Sequence, residues 1–484
     1  MERRLSMNIA TATQSFCLAA IIFAAQLPIS AQDNFTDDSE IKTFLHNSFD
    51  GKNAGMVIGL VDEHGSRIFA AGKLDNNTSQ ELNGDTVFEI GSITKTFTAL
   101  LLQDMVERGE MNLNDPVAKY LPQSVVMPTR NGKEITLLNL AAQDSGLPFN
   151  PLNLDGGENY FAHYTTNELY AILPSCALSS DPGAKFEYSN LGMGLLGHAI
   201  ALKEGANYES LVVNRICRPL HMDSTRVTLT DELKARLTRG HDASGKLVPN
   251  WDFDVLAGCG ALHSTANDLL KYISAEIGLT PCSLAPAIEK TQAIRHRGDP
   301  VYGDTAMPWV DCGQSAQTGM KLLGHAGGTA GYSAFIGFDR QHQRGVVVLF
   351  NEQDGTQGGV HSQMLGWLLL EGVRLTPQIT ANLFPASTAE LVGIGVKLRF
   401  DQPTRTIRFE TVFPNMPASQ AGLSAGLILQ KVDGIPTAGK SIDLCACYIR
   451  GKAGTKVRLE LVNPERNETN TVELIRQKFT QPKQ

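Results

Sequence analysis

The sequence has no basic run and no arginine-rich stripe, and its formal charge is -8. Nucleic acids are bound through cationic surfaces that displace counterions, so non-specific nucleic-acid binding is excluded as a main role. Charged residues make up only 19% against 42% apolar, the balance of an ordinary globular protein. Neither an internal repeat nor a low-complexity tract occurs, and 484 residues suffice for more than one domain. No apolar run is long enough for a comfortable membrane span.

The longest such run, SFCLAAIIFAAQL, follows Arg3 and Arg4 and leads into PISA, ending at Ala31. Charged, apolar and small-residue segments in that order read as a secretory signal peptide over residues 1–31; an uncleaved anchor is the alternative. No cysteine closes the apolar run where a lipid would be attached. The chain is therefore expected to be exported, periplasmic or secreted, with no stable membrane span after cleavage. Seven cysteines then remain, Cys176, Cys217, Cys259, Cys282, Cys312, Cys445 and Cys447. An odd count leaves at least one unpaired, and no spacing fits a zinc site.

Two catalytic patterns are also missing. Without G-x-S-x-G there is no nucleophile elbow of an α/β-hydrolase. Without H-E-x-x-H there is no zinc peptidase of that type.

What is present begins with a helix at DSEIKTFLHNSF and a hairpin at AGMVIGLVDEHGSRIFAAG, turning at Glu63-His64-Gly65. In SITKTFTALLLQDMVERGE, Ile93, Phe97, Leu100, Leu101 and Met105 fall on one helical face, and Gly109 suits the C-terminal cap. A largely helical stretch follows, then a second hairpin, GYSAFIGFDRQHQRGVVVLFNE. Strands at both ends of a helical middle predict one sheet with a helical subdomain inserted, an α/β (α+β) chain. Residues 375–388 lack periodicity and read as a linker. They separate a domain over 32–374 from a small unit over 389–480, a size that can fold alone.

Three short elements carry chemistry. Ser92 opens the strongest helix and Lys95 lies three residues on, so both side chains share a face. A serine hydroxyl becomes nucleophilic when a nearby base takes its proton, and a buried lysine has a lowered pKa suited to that task. The helix N-terminus offers free N–H groups to a developing negative charge. The plainer reading makes Ser92 a cap and Lys95 a solvated cation. The second element is Tyr188-Ser189-Asn190, where Tyr188 suits a core and Asn190 suits a helix cap. The third is GHAGGTAG, with His325, Ala326 and Gly327 ahead of a strand.

The order S-x-x-K, Y-x-N, [KH]-x-G resembles the penicillin-recognising serine hydrolases, in the branch of class C β-lactamases, D-alanyl-D-alanine peptidases, D-aminopeptidases and esterases. FEIGSITKTFTALLLQDMVERGEMNLNDPVAKYLP, ITLLNLAAQDSGLP, KFEYSNLGMGLLGHAI and GHAGGTAGYSAFIGFD are similar to its standard segments, and the likeness runs from Phe44 to Glu352. It implies a β-lactamase/transpeptidase-like antiparallel sheet flanked by helices, with a helical subdomain. It implies acylation of Ser92, Lys95 as proton acceptor, Tyr188 as proton shuttle, and Asn190 on the substrate amide and on Lys95. The N–H groups of Ser92 and Gly328 would form the oxyanion hole, and Gly327 would let the strand edge approach substrate. Asn150 stands where class C enzymes place a substrate-binding glutamine. No metal or cofactor is implied. The substrate stays open between β-lactam, D-amino-acid peptide and ester, with a catalytically silent peptide or cell-wall sensor as the rival class.

One position departs from the class C pattern, which has lysine where His325 stands. An imidazole with an ordinary pKa near 6.5 is mostly neutral at pH 7. This predicts a weak carboxylate anchor that strengthens as pH falls towards roughly 6.

In the C-terminal unit GIPTAGKS matches a phosphate loop letter for letter. Pro436 removes a donor from that cradle, and too little chain follows for the sheet such a site needs. Nucleotide binding is not expected, and Ser441 reads as a helix cap. VGIGVKLRF, NMPASQAGLSAGLILQKVDG and TVELIRQ resemble a PDZ domain. That likeness implies a peptide ligand lying between VKLRF and the helix after Ser441, with Gly393, Ile394 and Gly395 at its end. A PDZ-like fold used only for packing is the alternative.

Overall fold

The computed structural model describes residues 35–479, except 51, 53, 75–79, 155–156, 158, 300, 354–359, 384–390, 402 and 467. The signal-peptide reading of residues 1–31 lies outside the described residues, as does the second half of the expected linker.

α1 (Asp38–Phe49) begins where Asp37 accepts a hydrogen bond from Ser39 N, leaving Ile41, Phe44, Leu45 and Phe49 buried. β1 (Met56–Asp62) and β2 (Gly65–Ala71) form the expected hairpin, with Ile58 opposite Phe69. α2 (Thr94–Glu107), α3 (Asn190–Glu204) and α4 (Ala266–Glu276) belong to the helical middle. β3 (Leu322–Gly328), β4 (Ser333–Asp339) and β5 (Arg344–Phe350) return the chain to the sheet, whose five-stranded order is β2-β1-β5-β4-β3. Every neighbouring pair is antiparallel. N- and C-terminal strands therefore share one sheet, as expected.

Side chains alternate between the faces of a strand, and here both faces are covered. Val57, Val61, Ile336, Phe338, Val347 and Leu349 enter a core shared with α2 and α4. Met56, Ile58, Leu60, Phe335, Val346 and Val348 point the other way, into a core shared with α1 and α5 (Val360–Leu370). Two-sided burial is why RGVVVLF reads as an unbroken apolar run rather than an alternating one.

α2 is buried on every side from Thr94 to Met105, not on one face alone. Its threonines are satisfied inside. Thr94 Oγ1 accepts from Leu262 N at 3.1 Å, and Thr98 Oγ1 donates to Gly258 O at 2.7 Å. α3 is capped by Ser189, whose Oγ accepts from Gly192 N at 2.9 Å, so Asn190 is its first residue rather than its cap. That frees the Asn190 amide for other partners.

The expected linker is helical in its first half, as α6 (Pro377–Leu383). Ile379 and Leu383 are buried in the core beneath the main sheet, so this segment packs rather than spaces. Beyond it β6 (Val396–Asp401), β7 (Thr406–Val412), β8 (Ile428–Val432), β9 (Lys456–Asn463) and β10 (Glu468–Ile475) form a second antiparallel sheet in that order. α7 (Ile442–Ile449) packs beside its edge strand β6. Ser441 Oγ accepts from Leu444 N at 3.2 Å, the cap expected of it, while Ile435–Pro436 pairs with β8 as strand. Ile394 is 1% exposed in the C-terminal core, and its carbonyl accepts from Ala418 N. All seven described cysteines are free thiols.

Candidate active site

Ser92 sits in a single 3-10 turn, Gly91–Ile93, immediately before α2. Two glycines bring β3 against this turn. A Cβ at Gly327 would lie 2.0 Å from Ile90 O, and one at Gly91 would lie 2.8 Å from Gly328 N. Gly91 also has φ +48°, which favours glycine. The expectation for Gly327 is refined here, since its missing side chain makes room for the serine-bearing turn rather than for substrate. Gly328 N thus lies against the glycine that precedes Ser92.

Lys95, fully buried, points its Nζ at three acceptors: Ser92 Oγ at 2.9 Å, Asn190 Oδ1 at 2.7 Å and Cys259 O at 2.7 Å. Burial pushes its pKa down to about 8. Burial pushes the Tyr188 phenol well above the ordinary range, and the Ser92 hydroxyl beside it partly offsets this. The Lys95 Nζ lies 4.8 Å from the centre of the Tyr188 ring, and Tyr302 stacks against that ring at 6.1 Å and 11°. Asn190 Nδ2 donates to Asn150 Oδ1 at 2.8 Å, which joins Asn150 to the group.

His325 corrects an expectation. Its Nδ1 donates to Ala326 O at 2.7 Å, since a carbonyl only accepts. Burial, helped by the nearby Lys95 charge, pushes its pKa down to about 3. The ring is neutral throughout the neutral and mildly acidic range, so it gives no carboxylate anchor that strengthens near pH 6.

Some residues at the site have no short motif to announce them. A cavity of about 350 Å³ opens beside Ser92, and Phe149, Tyr160, Phe161, Trp251 and Phe253 line one wall. Phe161 stacks on Phe253 at 4.7 Å, and Trp251 meets Tyr160 edge-on at 5.3 Å. Glu89, three residues before Ser92, holds this wall by accepting from Trp251 N at 2.8 Å. Its other oxygen and Thr329 Oγ1 are buried without a hydrogen-bond partner. Burial pushes the Glu89 carboxyl up to about 7. A larger hollow of about 560 Å³ between α1 and β2 contains none of these groups. Among the described residues no group of three or more His, Cys, Asp or Glu side chains could hold a metal ion, and no helix is long and apolar enough to cross a membrane.

A family profile described as Beta-lactamase matches residues 33–370. The D-alanyl-D-alanine-carboxypeptidase/endopeptidase AmpH of Escherichia coli K12 is 30% identical over 271 residues, covering 54% of this chain and 68% of that enzyme. A beta-lactamase of Pseudomonas fluorescens is 26% identical over 336 residues, 62% of this chain and 88% of its own. Among solved structures, a class C beta-lactamase from Rhodobacter sphaeroides has a TM-score of 0.56 at 25% identity, covering 65% of this chain and 94% of that one.

Proposed function

The chain belongs to the beta-lactamase family, as a serine hydrolase, and from that premise we propose that Ser92 is its acylated nucleophile. The reaction is acyl transfer followed by hydrolysis. Neutral Lys95 takes the Ser92 proton as Oγ bonds to the substrate carbonyl carbon. The N–H groups of Ser92 and Gly328 hold the oxyanion. Tyr188, a phenol throughout, relays that proton from Lys95 to the leaving oxygen or nitrogen as its bond to carbon breaks. Water then attacks the acyl carbon and the proton returns to Oγ. The substrate range is that of the family: β-lactams, D-amino-acid peptide amides and esters. The observation that carries the reading is the Lys95 amine held 2.9 Å from Ser92 Oγ.

Export belongs to the same proposal and rests on the order of segments in residues 1–31. Peptide binding by the C-terminal unit rests on β6, an edge strand among the described residues, beside α7, an arrangement suited to strand addition.

Intact-mass measurement tests the nucleophile. Incubation with a fluorescent penicillin, and separately with a neutral 4-nitrophenyl ester, should leave one acyl adduct that Ser92→Ala abolishes. An adduct that survives the substitution overturns the assignment. No adduct and no hydrolysis with either reagent favours the silent sensor.

A further inference from the structure

The cavity beside Ser92 states a preference that the family's motifs do not. No charged side chain lines it among the described residues; its walls are aromatic rings, amides, hydroxyls, glycines, Cys259 and Ala330. Phe161 is 2% exposed, and its stack with Phe253 continues into Trp251. At the mouth Phe149 is 44% exposed and tilts over Tyr188 at 5.8 Å. Val301, 68% exposed, stands next to Tyr302, which stacks on the same ring.

The cation at the site is Lys95, beside the Tyr188 ring. The Lys95 amine is fully engaged within the site. His325 is an uncharged ring bonded to its own backbone neighbour, and Ala326 has no hydroxyl to offer. An unpaired carboxylate entering such a site loses hydration, and the amine nearest to it is already held by Ser92, Asn190 and Cys259.

Geometry divides the two ends of a substrate. The leaving group must meet Tyr188, so it lies on the side of Tyr188, Tyr302 and His325. The acyl group lies on the other side of Ser92, where Gly328, Trp251 and Phe253 line the cavity. We propose that this site takes uncharged esters and amides carrying an aromatic or other bulky apolar acyl group, and discriminates against leaving groups that bear a free carboxylate. This rests on Ser92 being the nucleophile. In the reaction the acyl C–O or C–N bond breaks as the Ser92 Oγ–C bond forms. The leaving group departs with the serine proton, and water releases the apolar acid.

A matched ester set tests it on the full chain. The phenylacetyl ester of methyl 3-hydroxybenzoate is compared with that of 3-hydroxybenzoic acid, and with the acetyl ester of methyl 3-hydroxybenzoate. Each kcat/KM is normalised to the ester's rate with hydroxide. The neutral phenylacetyl ester should exceed both others at least tenfold. Trp251→Ala should collapse the phenylacetyl-to-acetyl ratio, with Phe253→Leu as the milder variant. His325→Lys should shift the neutral-to-anionic ratio towards the anion. Preference for the carboxylate ester, or equal rates on phenylacetyl and acetyl, overturns the proposal while leaving Ser92 in place. If ester hydrolysis survives Ser92→Ala, or if neither hydrolysis nor an adduct is seen with any ester or with the penicillin, the Ser92 assignment itself fails, and this inference with it.

Discussion

Lys95 when charged has three protons, one for each of its three acceptors. When it is neutral, two protons serve Asn190 Oδ1 and Cys259 O, both at 2.7 Å, and the lone pair faces the Ser92 hydroxyl at 2.9 Å. With the pKa pushed down to about 8, the neutral fraction rises with pH, tenfold per unit below that value. Turnover of a neutral ester should therefore climb from pH 6 and level off above about 8. A profile flat from 6 to 9 would contradict Lys95 as the base. Lys95→Met should cost roughly 10²–10⁴-fold, and Tyr188→Phe less, because an uncharged relay is more easily bypassed by water. A second residue-scale consequence concerns Glu89, whose carboxyl is held near 7 in the fold against an ordinary 4.5. Between those values the unfolded chain gives up its proton first, so stability falls as pH rises through the window and is level above it. Glu89→Gln keeps an acceptor for Trp251 N and removes the ionisation. In urea denaturation its stability relative to the parent should improve between pH 5 and 7.5, by up to about 3 kcal/mol. Parallel curves would show that Glu89 does not titrate in this range.

At the scale of elements, the catalytic geometry is a contact between a strand and a turn. β3 can press on the Ser92 turn because Gly327 leaves room where a Cβ would meet Ile90 O at 2.0 Å. Gly327→Ala should push the turn and the oxyanion donor apart. Misplacement of about 1 Å costs on the order of 10²-fold in rate, so kcat should fall that far while circular dichroism stays native. Undiminished kcat would mean that β3 yields freely. Much of this was legible beforehand, because local signals reported it. The hairpins carried β-rich runs around a turn, and Ser92, Lys95, Tyr188 and Asn190 stood in short motifs that the fold brings together. The rest had no local signal. Cys259 meets Lys95 through a backbone carbonyl, which no side chain advertises. The aromatic wall joins Tyr160 and Phe161 to Trp251 and Phe253 across a long sequence gap with no period to link them. α2 reads as amphipathic because its threonines look exposed, yet their hydroxyls bond to neighbouring backbone within the core. His325 has an ordinary pKa only in water, and nothing in GHAGGTAG reveals that the fold removes the water.

Across the whole molecule, α7 ties the two sheets into one structure. Cys445 and Ile449 on one side of it join the C-terminal core, while Leu444 and Cys447 on the other join the core beneath the main sheet. Its first N–H, that of Ile442, donates to Gln317 Oε1 at 2.6 Å, which fastens the helix start to the hydrolase part. Leu444 is 1% exposed, in the core that also holds Leu383 of the adjoining α6. Truncating such a leucine costs about 2–5 kcal/mol. Because the core is shared, that loss is felt on the hydrolase side, far from the substituted residue in sequence. The three tryptophans, Trp251, Trp309 and Trp367, all precede the C-terminal unit, so tryptophan fluorescence reports on the hydrolase part alone. In thermal denaturation Leu444→Ala should lower the tryptophan-detected midpoint by several degrees, together with the transition seen by far-ultraviolet circular dichroism. A dichroism shift with an unmoved fluorescence midpoint would mean that the two parts melt independently and that α7 only rests against the hydrolase. Coincident shifts would make the C-terminal unit part of the scaffold that holds α5, the main sheet and, through β3, the turn bearing Ser92.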